Sequence, residues 1–281
     1  MDESAALALA EPALGVTGAT EIARGGQKIV YRALLQGVPV ILKIAHISNL
    51  LDPNALERCQ REVALLKDLH SPNVVKVLSD LAFIGTGPDA AAWLEEELDG
   101  QDLHALLGRP WTWSDVADLL AQVGSGLSAM HASGYVHRDL SPGNVRRTTQ
   151  GYKVMDPGLA KHLNRTSITG LWQPGTPGFL SPEHATLGGR ITPASDVYCL
   201  GILAFLALTG EFPIDPSGDP NQYRQRLLAA RPPAVRSRRP DLSEPQASIV
   251  DRCLDRQPAR RFLDADEVLD AVRVLASGGG N

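Results

Sequence analysis

Cysteine is scarce in this chain. Its 281 residues include three, Cys59, Cys199 and Cys253, far apart and without a CxxC pair. That spacing argues against a disulfide framework and suits small buried residues in a reducing compartment. There is no basic excess either. Lys and Arg total 27 against 32 Asp and Glu, a net charge of -5, which removes the general reason to expect a nucleic-acid partner. The longest apolar run, Val197 to Leu208, is too short to span a bilayer and reads as a buried helix. The first residues, MDES, are acidic where a secretory signal is basic, so no targeting segment is expected. The seven histidines lack metal-ligand spacing, and no internal repeat is present. These absences leave a soluble, cytoplasmic protein with neither membrane nor nucleic acid as partner. Hydrophobic residues, at 43%, suffice for a core, and the length suits one two-lobed domain or two small ones.

What is present begins with an Ala-rich stretch, residues 1–15, containing Pro12 and Gly15, where a loose lead-in is expected. From Ile22 to Ile44 the pattern is strand-like: IVYRALL and VPVILKIA are β-branched runs on either side of a turn at Gly37. Asp52 before Pro53 is a helix start. Leu56, Cys59, Val63 and Leu66 then fall on one face, predicting a helix over 53–69, with Glu57 and Arg61 one turn apart in support. SPN at 71–73 ends it, and strands are expected over Val74–Asp80 and Ala91–Leu98. Beyond Gly100 the pattern turns helical. Ser114 can cap a helix carrying Val116, Leu119, Leu120, Val123, Leu127 and Met130, which stops at Gly134. A Gly/Pro/Ser/Thr-rich stretch spans 157–182, and the remainder is helical as far as SGGGN. The order predicts an α+β chain in two lobes joined near Leu98 to Gly100. Residues 16–98 form a small β-rich N-lobe with one helix, 99–275 a larger, mostly helical C-lobe, and 276–281 a flexible tail.

The chemistry concentrates in HRDLSPGN, His137 to Asn144, and in Asp156 twelve residues later. A carboxylate at Asp139 can take the proton of a hydroxyl as its bond to phosphorus forms. Asn144 and Asp156 offer the hard oxygens that magnesium prefers. An isolated HRD means little, but the joint D-x4-N-x11-D spacing is specific. His137 suits a core histidine supporting this loop better than a ligand.

This stretch resembles the catalytic loop and metal-binding turn of eukaryotic-like, bacterial-type serine/threonine protein kinases. The resemblance runs from about residue 20 to 272, through VILK, REVALLKDL, HSPNVV, HRDLSPGN, MDPGLA, GTPGFLSPE, SDVYCLGI and DRQPARRF in order. It implies the bilobal protein-kinase-like fold, ATP with magnesium (manganese as the alternative ion), and protein substrates that receive the γ-phosphoryl group on Ser/Thr hydroxyls. Asp139 is then the catalytic carboxylate, and Asn144 and Asp156 the metal ligands. Lys43 would neutralise nucleotide phosphates, held by Glu62 on the predicted helix.

The segment IARGGQKIVYRA, Ile22 to Ala33, takes the place of the Gly-rich loop, with Ile22, Gly25 and Val30 beside the nucleotide. Aligned on Val30, the usual three glycines fall on Ala23, Gly25 and Lys28, and an ordinary hairpin is the plain alternative. At the hinge, the backbone of Glu96 and Leu98 would meet adenine and Asp102 the ribose. Asp102 reads equally well as an acidic strand end, and three consecutive glutamates leave the register open by one. In this register Glu95 stands where an apolar or hydroxyl residue is usual.

Further along, the resemblance implies that Thr176 helps to position Asp139, that Glu183 pairs with Arg261, and that Asp196 braces the catalytic-loop backbone. Arg138 would meet a phosphate on the activation segment, where Thr166, Ser167 and Thr169 are the acceptors; plain loop hydroxyls are the alternative. Three features depart from the pattern: the single matched glycine, Ser141 in place of a lysine, and Pro157 in place of a phenylalanine. Ser141 removes a charge that would stabilise the transition state, at a cost in rate rather than binding, which Lys28, Lys161 or Arg165 could offset. The departures keep a nucleotide-binding pseudokinase scaffold in view. A small-molecule phosphotransferase is disfavoured by GTPGFLSPE and Asp196. Kinases of this type often carry a membrane anchor and external sensor, for which no room is expected here. The arginines at 224, 226, 231, 236, 238 and 239 read as solvated helix and loop faces or as a docking surface for an acidic partner.

Overall fold

Strand pairing and two packed helices organise the N-terminal third. The computed structural model describes residues 2–25, 28–46, 55–85, 89–157 and 176–278, and the backbone of 161–162. Asp52, Pro53, Arg165, Thr166, Ser167 and Thr169 lie outside the described residues, as does the side chain of Lys161. The chain divides into two units: Met1–His70 with Val74–Asp99, and Ser71–Asn73 with Gly100–Asn281.

The first unit runs α1 (Glu3–Leu14), β1 (Val16–Arg24), β2 (Lys28–Leu35), β3 (Val38–His46), α2 (Ala55–Asp68), β4 (Ala82–Ile84) and β5 (Ala90–Glu96). The strands form one antiparallel sheet in the order β1-β2-β3-β5-β4. Gln36 and Gly37, at φ 53° and 82°, make the two-residue β2–β3 turn. Two left-handed residues give a turn whose twist matches that of the strands. Period-two alternation then sorts the side chains. Val40, Leu42, Ile44, Ala92 and Leu94 pack with Ala6 and Ala10 of α1. Ala45, Ala91 and Trp93 pack with Cys59 and Val63 of α2.

The expected loose lead-in is instead the helix α1. Asp2 caps it by accepting from Ala5 N at 2.7 Å, and Gly15 ends it in the left-handed region. Ala6 and Ala10, one turn apart and fully buried, let the helix lie close to the sheet, and Pro12 stands in its last turn. The strand expected over Val74–Asp80 is reduced to isolated bridges at Val74 and Val77, the latter pairing with Glu95. The edge of β5 over Ala90–Ala92 is already occupied by β4, which leaves residues 74–80 only the strand's far end.

The second unit runs β6 (Gln101–Asp102), α3 (Leu103–Leu106), α4 (Trp113–Ala132), β7 (Tyr135–Val136), β8 (Val145–Thr148), β9 (Gly151–Val154), β10 (Lys161–His162), α5 (Pro182–Ala185), α6 (Pro193–Thr209), α7 (Pro220–Ala229), α8 (Glu244–Cys253) and α9 (Ala265–Gly278). Thr112, not Ser114, caps α4, because Thr112 and Asp115 satisfy each other's backbone N–H groups in a capping box. Helix α6 is buried from Ala194 to Leu208 and forms the core with α4, α8 and α9. Helix α9 continues through Gly278, so the segment expected as tail begins inside a helix. Among the described residues, no helix is long and apolar enough to cross a membrane. The cysteines are free and buried, and burial pushes the thiols up, to about 11 for Cys59 and about 12 for Cys253. Much of the arginine cluster is used locally: Arg236 pairs with Glu244, Arg238 with Glu211 and Arg239 with Asp241, while Arg226 donates to the carbonyls of Asp215 and Ser217.

Candidate active site

In the first unit, one face of the sheet carries the charged groups. Val30 pairs with Lys43, and Lys43 with Trp93; Lys28 pairs with Ala45, and Ile41 with Glu95. Lys28, Val30, Lys43, Trp93 and Glu95 therefore share the face that α2 covers. The ammonium of Lys43 lies 2.8 Å from Glu95 Oε1 and 2.7 Å from Oε2, with both side chains buried. Trp93 Nε1 donates to the same carboxylate at 2.9 Å.

Glu62 does not hold Lys43. Its carboxylate takes Lys28, at 2.8 and 3.2 Å, and the Lys28 ammonium also stands 5.6 Å from the centroid of the Trp93 ring. Register and burial explain the exchange. Glu95 is the diagonal cross-strand neighbour of Lys43, within reach of a long side chain. A carboxylate buried there requires a cation. Lys28, two residues before Val30 on β2, is left for the helix.

Ile22 is exposed on β1, and Val30 is half-buried. Gly25 N donates to Lys28 O at 2.8 Å, at the turn end of the β1–β2 hairpin. Leu98 is half-buried, and Glu96 N donates to Lys76 O.

In the second unit, the loop after β7 carries Asp139. Its Oδ1 accepts from Thr176 N at 3.0 Å and from Thr176 Oγ1 at 2.8 Å. Asn144 Nδ2 donates to Asp139 O at 2.8 Å, which leaves Asn144 Oδ1 as the acceptor available to a cation. The β8–β9 ladder, with Val145 opposite Val154, and a 2.9 Å bond from Met155 N to Asn144 O bring the start of the Asp156 segment to Asn144. Asp156 itself holds φ 47°, a conformation uncommon for a residue with a Cβ. Two hard oxygen donors on adjoining segments fit a divalent ion of the magnesium type. Asp102, expected at a ribose, accepts from Arg146 Nη1 at 2.7 Å.

The loop is braced from beneath. The fully buried Asp196 accepts from His137 N at 2.7 Å and Arg138 N at 2.9 Å, and lies 3.0 Å from His131 Nε2. Burial alone raises its pKa, but His131, His137 and the backbone donor hold it below the ordinary carboxylate value. Arg138 sits at φ 71°, and its Nε is buried with no hydrogen-bond partner. Burial lowers its pKa, opposed by the charge of Asp196. Glu183 and Arg261 form a buried bidentate pair at 2.8 and 2.7 Å, with Ser195 Oγ donating to Glu183 and the Tyr198 ring 4.6 Å from the guanidinium.

Sequence reasoning missed Trp93, His131 and the two lysine partners. The pairing of Lys43 with Glu95 had a signal in the alternation AAAWLEE, which puts Trp93 and Glu95 on one face. His131 had none, since only the packing of α4 on α6 brings it to Asp196.

The family model for the protein kinase domain matches residues 17–272. The chain is 33% identical to the serine/threonine-protein kinase pkn3 of Myxococcus xanthus, over 87% of its own length. It is 31% identical to PknA of Mycobacterium tuberculosis over 92%, and 33% identical to PkaA of Streptomyces coelicolor over 95%. It covers 47%, 60% and 49% of those three relatives, so it spans about half the length of the curated proteins it matches. With a family match this long, on a chain whose loop from His137 to Asn144 is braced as described, the protein belongs to the protein kinase domain family.

Proposed function

We propose that the protein transfers the γ-phosphoryl group of ATP to Ser/Thr hydroxyls of protein substrates. The observation that carries this is the double hydrogen bond from Thr176 to one oxygen of Asp139. It fixes the carboxylate's rotation, so that Oδ2 can orient an acceptor hydroxyl and take its proton. Asn144 and Asp156 would hold the divalent ion, magnesium or manganese, which when bound neutralises charge on the triphosphate. The names of the relatives support the Ser/Thr acceptor class. The buried, free cysteines suit a reducing compartment, and we place the protein in the cytoplasm on that ground.

The buried, partnerless Nε of Arg138 supports regulation by a phosphate on the activation segment. Thr166, Ser167 and Thr169 are the proposed acceptors. Mass spectrometry after incubation with ATP and magnesium should find at least one modified; none modified would remove this part.

The pairing of Lys43 with Glu95 favours one second reading, nucleotide binding without transfer. Transfer of labelled phosphate to a generic basic protein decides between them. Asp139→Asn should lower it by about 10²–10⁴-fold. No transfer by the unmodified chain, or equal transfer by the variant, would defeat the kinase reading.

A further inference from the structure

Two departures from the family pattern form one matched set. Glu95 adds a negative charge at a position usually apolar or hydroxyl-bearing, and it engages Lys43. Lys28 adds a positive charge where a loop glycine is usual, and it engages Glu62. The charges cancel, and each new residue takes one member of the pair expected between Lys43 and Glu62. Trp93 touches both pairs, with its N–H on Glu95 and its ring facing Lys28.

We propose that Lys28 is the cation Glu62 presents to the nucleotide phosphates, and that Lys43 with Glu95 is chiefly a buried structural pair. This rests on the ATP-binding reading above. An ammonium neutralised by a carboxylate at 2.7 Å in a buried setting keeps little net attraction for a further anion. Drawing Lys43 away would also break a buried ion pair, a costly step. Lys28 is placed differently. Its side chain is 27% exposed against 4% for Lys43, and it stands at the turn end of the hairpin that the family uses to cover phosphates. A part-exposed ammonium can exchange or share a carboxylate with an incoming phosphate at low desolvation cost. Glu62, itself nearly buried on α2, limits where the long side chain can go.

The test uses the full chain, with ADP and adenosine as probes in calorimetry and phosphate transfer as a second readout. Lys28→Met should weaken ADP by about tenfold or more, as expected for one lost charge-assisted contact. It should leave adenosine unchanged, and Lys28→Arg should restore much of the ADP affinity. In a double-mutant cycle, Lys28→Met and Glu62→Gln should be non-additive in ADP affinity, whereas Lys43→Met and Glu62→Gln should add. Because Lys28 is part-exposed, its variants should fold, and unchanged melting temperatures check this. ADP affinity unaltered by Lys28→Met, or coupling of Lys43 rather than Lys28 to Glu62, overturns the inference. A chain that binds ADP in this pattern but transfers no phosphate sustains the inference while defeating the kinase reading. A chain that binds neither probe overturns both.

Discussion

Thr176 donates twice to one oxygen of Asp139, through its backbone N–H at 3.0 Å and its hydroxyl at 2.8 Å. The two bonds differ in what a substitution can remove. Thr176→Val keeps the shape and the backbone donor and deletes only the hydroxyl. Hydrogen bonds to charged groups contribute about 1.5–3 kcal/mol, so kcat should fall roughly 10- to 100-fold. KM for ATP should stay within about twofold, since the hydroxyl orients a base and binds no nucleotide. Thr176→Ser should recover most of the rate. Steady-state phosphate transfer checks this, and a KM effect larger than the kcat effect would sink it.

The ease of reading Asp139 and the difficulty of reading Lys43 have the same origin. Asp139 and Asn144 sit in one short segment, where the Asn144 side chain bonds the Asp139 carbonyl, so spacing alone encodes the geometry. Glu183 and Arg261 are far apart in sequence but belong to motifs that the resemblance pairs. The partner of Lys43 depends on the register of β3 on β5, and that of Glu62 on where β2 sets Lys28 against α2. A strand's cross-strand register is a tertiary quantity, and a family pattern supplies only the usual answer. Helix α1 was hidden for a different reason: Ala6 and Ala10 are too weakly hydrophobic to draw a visible apolar stripe, although they are fully buried.

Arg261 is 1% exposed, and its two nitrogens meet both oxygens of Glu183. Removing one partner leaves the other charge buried. Arg261→Met should cost about 3–5 kcal/mol. The double variant Arg261→Met with Glu183→Leu should be less destabilised than the single, because it removes the stranded carboxylate. Chemical denaturation of all three proteins reads the difference. A double variant weaker than the single would show that the neighbouring bonds of Ser195 and the Ala194 carbonyl matter more than the pair.

Gly126 lies on α4 where the chain at Asn73 crosses it. A Cβ there would stand 2.6 Å from Asn73 O and 3.1 Å from Val154 Cγ2. The carbonyl cannot easily retreat, since it accepts from Val154 N at 2.8 Å while Asn73 Nδ2 donates to Tyr152 O. Alanine favours helix over glycine by up to about 1 kcal/mol, so on propensity alone Gly126→Ala should stabilise. The contact reverses the sign: overpacking of this kind costs about 1–3 kcal/mol, and the melting temperature should fall. A rise in melting temperature would mean that the 71–73 segment moves freely.

His184 is 1% exposed, its Nδ1 is 2.8 Å from Ser181 Oγ, and its Nε2 is buried, with the Arg138 backbone beside the ring. Burial lowers its pKa below the ordinary 6.5, although Glu183 and Asp196 oppose the shift. The sign of the pH effect follows. Below about 6.5 the unfolded imidazole binds a proton that the folded one refuses, so unfolding takes up protons there. Stability is therefore retained above about pH 6.5 and declines as pH falls beneath it, until the folded group also titrates. Other histidines titrate in the same range, so the informative quantity is a difference between proteins. His184→Asn removes this proton uptake while keeping an acceptor for Ser181. Its melting temperature should drop less than that of the unmodified chain between about pH 7.5 and pH 5.5. Parallel pH profiles for the two proteins would show that His184 carries its proton equally well folded and unfolded, against the burial seen at this helix.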